Sequence, residues 1–208
     1  KVGKKISVER LAEIFLEQQD RGALNINLVT PTHYIPQIIK ALELSKNQGM
    51  NLPVVYNSGG YEKAEALKLL DGLVDVYLPD MKYMSPVLAG KYSKAQDYPA
   101  AAMAALAEMF RQVGTPVFEV ENPDDNTATD EAGLIMKRGM IVRHLVLPGC
   151  TADSKAVVKY LYDTYGDDIY MSIMSQYTPM KTLDKDKYPE LARRVTTYEY
   201  TKLIDHAL

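Results

Sequence analysis

The sequence predicts an α/β fold whose parallel strands form an open or partial barrel. Three observations carry this. Short apolar runs alternate five times with helix-like stretches, the pattern of a parallel sheet with crossover helices. Each run ends in polar or turn residues: Val29-Thr30-Pro31-Thr32, Tyr56-Asn57-Ser58-Gly59-Gly60, Leu78-Pro79-Asp80-Met81-Lys82, Leu147-Pro148-Gly149 and Met174-Ser175-Gln176-Tyr177. Parallel α/β folds place their chemistry at such strand ends. Five strands are also too few for a closed eight-stranded barrel.

Each element has its own signal. Ser7 is an N-cap for a first helix, with Val8, Leu11, Ala12 and Phe15 on one face and Gly22 at its end. Asn25 to Val29 reads as the first strand. Ile35, Ile38, Ile39 and Leu42 keep helical spacing, and that helix stops near Gly49. Pro53 to Tyr56 is the second strand, Glu62 to Leu70 a short helix with Asp71-Gly72 as its exit, and Val74 to Leu78 the third strand. Ser85 to Tyr92 is a short helix or a loop, and Tyr98 to Val113 a longer helix. Val117 to Val120 and Leu134 to Lys137 read as arms of a hairpin around the acidic stretch 119–133, with a turn at Asn122-Pro123-Asp124. Ile141 to Leu147, the helix Asp153 to Tyr165, Ile169 to Met174 and a closing helix Pro189 to Ala207 complete the order. A chain of this kind normally opens on a strand, and this one opens on a helix without an initiator Met. The expectation is a single domain, 1–208, that is a piece of a longer polypeptide.

The 208 residues are 47% hydrophobic and 25% charged, with a net charge of -3, an ordinary globular balance. No polybasic run points to nucleic acid, and no apolar run is long enough to span a bilayer. No leader-type apolar segment follows Lys1 to Lys5, so the expectation is a cytoplasmic protein. The single cysteine, Cys150, can form neither an internal disulfide nor a thiolate metal site by itself. His33, His144 and His206 lack metal-ligand spacing, and no residue is assigned to a metal. The dinucleotide fingerprint, the P-loop and the hydrolase elbow are all missing.

The candidate residues therefore lie at the strand ends. Asp80 and Lys82, two apart, face the same way if strand geometry continues. They could bind a zwitterion or move a proton; the alternative is a weak surface ion pair. Asn57 and Ser58, followed by two glycines, offer donors and close backbone approach, or form a plain turn. Thr30 is open to the same two readings, and Thr32 is either a helix cap or a site residue. Arg143 interrupts an apolar strand, which is costly unless the charge is paired or faces a cavity. His144 would face the opposite side, in a structural role. The 15 tyrosines, with no Trp, read mostly as packing residues.

Together, segments 25–34, 54–61, 75–83 and 142–149, with Ser175-Gln176-Tyr177-Thr178-Pro179 near the end, resemble the radical S-adenosylmethionine proteins related to the pyruvate formate-lyase activating enzyme. The resemblance runs from about Ile6 to Leu208. It implies a partial (β/α)6 TIM-type barrel, here lacking its first strand. It implies S-adenosyl-L-methionine and a [4Fe-4S] cluster as cofactors, and a 5′-deoxyadenosyl radical that takes a hydrogen atom, in activating enzymes from a glycine of a partner protein. A glycyl-radical-type partner and a small reductant protein are the implied partners. Thr30-Pro31-Thr32 stands where many relatives have Gly-Gly-Glu. Asn57 and Ser58 match contacts to the ribose or methionine part, Asp80 and Lys82 an Asp-x-Lys pair, and Arg143 a strand arginine. The family's Cys-x-x-x-Cys-x-x-Cys loop has no counterpart here and is expected outside the chain, which alone would be inactive. A cluster-free α/β binding module is the alternative; a lyase using Lys82 as an amine nucleophile is a third reading.

Overall fold

The computed structural model describes residues 3–120 and 133–208. Within them, six strands form one mainly parallel sheet flanked by seven α-helices. The first helix, α1 (Val8–Asp20), starts where Ser7 accepts from the Arg10 amide and buries Ala12 and Phe15. It leads into β1 (Ile26–Val29), a 3-10 turn at Pro31–Tyr34, α2 (Ile35–Asn47) and β2 (Val54–Ser58). Then follow α3 (Ala64–Lys68), β3 (Val76–Pro79), α4 (Pro86–Ser93) and α5 (Tyr98–Val113). The rest is β4 (Val117–Val120), β5 (Leu134–Leu145), α6 (Thr151–Tyr165), β6 (Tyr170–Met174) and α7 (Thr197–Ala207).

The strands β1, β2, β3, β5 and β6 lie side by side in that order, every pair parallel. These are the five strands the apolar runs predict, and the sheet is open. The hairpin is also present: β4 pairs antiparallel with the first residues of β5. Its far arm and the following strand are one continuous element, β5. The acidic turn at Asn122-Pro123-Asp124 lies outside the described residues.

Burial alternates along β2: Val54, Tyr56 and Ser58 are buried, while Val55 and Asn57 are partly open. The buried set faces the helices, where the main core gathers Leu42, Tyr56, Leu67, Tyr77, Leu106, Met109 and Met140. A smaller core of Val146, Val158 and Leu203 joins the end of β5 to α6 and α7.

Two expectations are corrected. The short helix after β2 is Ala64–Lys68 rather than Glu62 to Leu70; Gly60 and Glu62 are drawn into the strand-end turn instead. The closing helix is not continuous from Pro189 to Ala207. A 3-10 turn at Pro189–Ala192 is followed by extended backbone at Arg193, and α7 starts at a new cap, Thr196. There the Thr196 hydroxyl and the Glu199 carboxylate form a reciprocal capping box.

Candidate functional site

Four side chains meet at the C-terminal ends of β2, β3 and β5. Asp80 follows β3, and its carboxylate is shared: Oδ1 accepts from Arg143 Nη2 at 2.7 Å, and Oδ2 from Lys82 Nζ at 2.5 Å. Arg143 Nη2 also donates to Asn57 Oδ1 at 2.8 Å, reaching from β5 past β3 to β2. Asn57, Asp80, Lys82 and Arg143 are thus one bonded group.

Its charge does not balance. One carboxylate is shared by two cationic side chains, so by formal charge the group has one cation in surplus. Both cations are partly exposed, Lys82 at 38% and Arg143 at 25%, which lets them bond to a guest as well as to Asp80. The Arg143 Nε is buried without a partner, an orphan donor on a residue already committed to the site. A cavity of about 280 Å³ opens beside the group. Asp80, Lys82, Tyr83 and Arg143 form its polar side, Leu145, Leu147 and Met174 an apolar wall, and Gln176 closes it beyond β6. Chemically it suits a small ligand with an anionic end and an apolar body.

The backbone around the group is fixed by side chains from elsewhere. His144, on the opposite face of β5 from Arg143, is buried. Its Nδ1 bonds the Met81 carbonyl at 2.7 Å and its Nε2 the Ser154 hydroxyl at 2.9 Å. Burial pushes its pKa down, so the neutral ring donates from Nδ1 to the carbonyl. Asp153, at the start of α6, accepts from the Met84 and Ser85 amides; burial pushes its pKa up. Gly60 sits at φ +78°, and a Cβ there would come within 2.0 Å of the Asp80 carbonyl oxygen. Only glycine fits this close approach.

The remaining sequence candidates sit apart from the cavity. Thr30 links to the site through its backbone, its amide donating to the Asn57 carbonyl at 2.9 Å. It adopts a left-handed conformation, φ 51° and ψ 49°, which is strained for a β-branched residue. It borders a wide groove between β1, α1 and α2, of about 1180 Å³. The Thr32 hydroxyl donates to Glu62 Oε1 at 3.1 Å and lies 3.2 Å from the Tyr56 hydroxyl. Ser58 is buried on the helix-facing side. Glu62 is buried too, its Oε2 has no partner, and desolvation raises its pKa. The same burial carries the Tyr56 hydroxyl up to about 12. Thr32, Ser58 and Glu62 therefore do not line the cavity.

Sequence reasoning missed Gly60 as a steric requirement, and it missed Tyr83, Glu62 and Asp153. Gly60 stood in a quoted motif, but its close approach needs the β3 turn to be in place. Asp153, 68 residues from Ser85 in the chain, had no local signal.

No protein-family model matches the chain. It is 28% identical over 206 residues to an uncharacterised protein of Methanocaldococcus jannaschii, covering 96% of this chain and 50% of that protein. The chain thus spans about half the length of the curated relative it matches. Among solved structures it is similar to a domain of pyruvate-formate lyase-activating enzyme from Bacteroides vulgatus, with a TM-score of 0.50 and 13% identity. That match covers 89% of this chain and 96% of the domain. At this identity the likeness is one of fold: the chain has the α/β architecture of that activating-enzyme domain.

Proposed function

We propose that this chain is the S-adenosylmethionine-binding part of a radical S-adenosylmethionine enzyme of the activating type. The observation that carries the reading is the bonded group Asn57–Asp80–Lys82–Arg143 at the strand ends, in a fold shared with an activating-enzyme domain.

The residues fit the methionine end of that cofactor. Its carboxylate would be held by the two cations, Arg143 and Lys82, and its ammonium by Asp80, which trades a bond to Lys82 for one to the guest. Leu145, Leu147 and Met174 would cover its apolar portion and exclude water from it. Thr30, Thr32 and Ser58 would support the strand-end turns from behind. Bound next to an iron–sulfur cluster, S-adenosylmethionine supplies a carbon radical that abstracts hydrogen.

A [4Fe-4S] cluster does not fit the residues of this chain. Cys150 is the single cysteine. It is buried, with its Sγ 3.8 Å from the Tyr92 hydroxyl, and burial raises its pKa. No group of three His, Cys, Asp or Glu is placed to hold a metal among the described residues. Under this proposal three cysteines lie elsewhere in a longer, single-domain barrel, a glycyl-radical-type protein is the partner, and a small reductant protein delivers the electron. No helix among the described residues is long and apolar enough to cross a membrane, which is compatible with a cytoplasmic enzyme.

Two measurements test the reading. The chain should bind S-adenosylmethionine in equilibrium dialysis. R143Q and K82M should each weaken binding about tenfold or more, because a charge-assisted hydrogen bond contributes about 1.5–3 kcal/mol. The longer protein, reconstituted anaerobically with iron and sulfide and then reduced, should release 5′-deoxyadenosine. Equal affinity in the variants together with no 5′-deoxyadenosine would overturn it. Binding without 5′-deoxyadenosine would favour the cluster-free binding module, the reading supported by the buried, solitary Cys150.

A further inference from the structure

The Tyr98 hydroxyl lies where the turns after β2 and β3 meet. It accepts from the Lys82 amide at 3.0 Å, and it lies 2.8 Å from the Asp80 carbonyl and 3.0 Å from the Gly59 carbonyl. A phenol has one proton and can donate to one of the two carbonyls at a time. All three contacts are to backbone, and two belong to the residues that carry the ion pair. The Tyr98 side chain enters from α5, is 3% exposed, and does not line the cavity. Its ring is wedged between Tyr61 and Tyr83, with centroids 5.7 Å away in each case.

The surroundings leave the two turns little freedom at this point. A Cβ on Gly60 would lie 3.1 Å from the Tyr98 hydroxyl as well as 2.0 Å from the Asp80 carbonyl. Lys82 Nζ reaches back to the Gly59 carbonyl at 3.4 Å. Both ends of Lys82 are therefore tied to the β2 turn, the backbone through Tyr98 and the ammonium directly. Burial pushes the Tyr98 pKa far above the usual phenol range, so the hydroxyl keeps its proton at physiological pH.

We propose that Tyr98 is a positioning residue: its hydroxyl fixes the Asp80–Lys82 turn against the Gly59–Gly60 turn and so sets where the Lys82 ammonium can meet a ligand. This rests on the reading of the cavity as a ligand site but not on the ligand's identity. The Tyr98 hydroxyl touches no ligand and acts only through the backbone of Asp80 and Lys82. It is worth most where a site must be held ready before the guest arrives.

Y98F removes one oxygen and keeps the ring contacts. Three readouts test the proposal. In the ligand-free chain, hydrogen exchange at the Lys82 amide should be slow in wild type and about tenfold faster or more in Y98F, with strand amides such as Val142 unchanged. With S-adenosylmethionine as the probe, Y98F should bind about tenfold more weakly. The double variant Y98F/K82M should bind no more weakly than K82M alone, a non-additivity that a merely stabilising tyrosine would not produce. Wild-type exchange at Lys82 in Y98F overturns the proposal, and so does wild-type affinity, or full additivity with K82M. Should Y98F not fold, fast exchange of the Lys82 amide in wild type overturns it by itself. Absence of S-adenosylmethionine binding in wild type overturns the functional reading and leaves exchange to decide on Tyr98.

Discussion

Single residues decide how closely the strand-end turns approach. Gly60 and Gly72 have nearly the same left-handed backbone, φ +78° and +76°, but different surroundings. Nothing lies within 4 Å of a Cβ at Gly72, whereas one at Gly60 meets the Asp80 carbonyl. G72A should therefore cost only the left-handed penalty, about 1–2 kcal/mol. G60A must also displace the β3 turn and should cost roughly twice that or more, with weaker ligand binding. Urea unfolding of both variants measures the difference, and equal losses would show that the turn yields freely. The sequence displayed Asp80, Lys82 and Arg143, because a charge within or just after an apolar run is conspicuous from local pattern alone. It could not display what holds them. Tyr98 is one of 15 tyrosines, and its role depends on where α5 lands against two turns.

At the scale of elements, hydrophobic periodicity served well wherever an element packs one face on the core. The spacing of Ala102, Leu106, Met109 and Val113 predicts a helix over Tyr98–Val113, and those are its bounds. The hairpin arms were legible for a different reason: β4 is exposed along its length, but apolar residues stand on both sides of an acidic stretch. The helix expected over Pro189 to Ala207 breaks at a local stop and restart. Thr196 and Glu199 have capping-box spacing, and that signal was in the sequence. Glu199 does more than cap: it accepts from Arg193 and from the Gly149 amide, tying α7 to the turn after β5. These bonds hold its pKa far below the usual carboxylate range. T196A removes one cap and should cost about 1 kcal/mol. E199A should cost more, because it also frees Arg193 and Gly149. Thermal unfolding ranks the two, and a smaller loss for E199A would mean that the cap outweighs the tie.

The whole molecule adds a pH dependence that no local pattern contains. Burial depresses the His144 pKa, so the unfolded chain takes up a proton on this ring more readily than the folded one. Stability from the neutral ring is present above the unfolded value, near 6.5, and is lost as pH falls below it. Asp153 and Glu62, raised by burial, act oppositely: their folded forms hold protons more tightly and gain as pH falls. The difference between wild type and H144Q isolates the histidine. Between pH 7 and pH 5, wild type should lose more stability than H144Q in urea titrations; parallel profiles would mean that His144 does not titrate differently on folding. The sheet order was legible from the alternation of strands and helices, since each helix must return the chain to the same sheet edge. One consequence of that order concerns the middle of the sheet. Pro79 has no N–H to offer β5, so the β3–β5 ladder stops at Tyr77↔Met140 and resumes only at Asp80↔Arg143. That rejoining point is where the ion pair sits. The sheet thus resembles two leaves of a book, β1–β2–β3 and β5–β6, stitched low on the spine and latched at the top by the Met81 amide on the Arg143 carbonyl, with one carboxylate and one guanidinium beside it. A guest that takes the Lys82 place on Asp80 and leaves Arg143 on the other oxygen would fill the cavity with that latch still closed, so the spine between the leaves need not open to admit it.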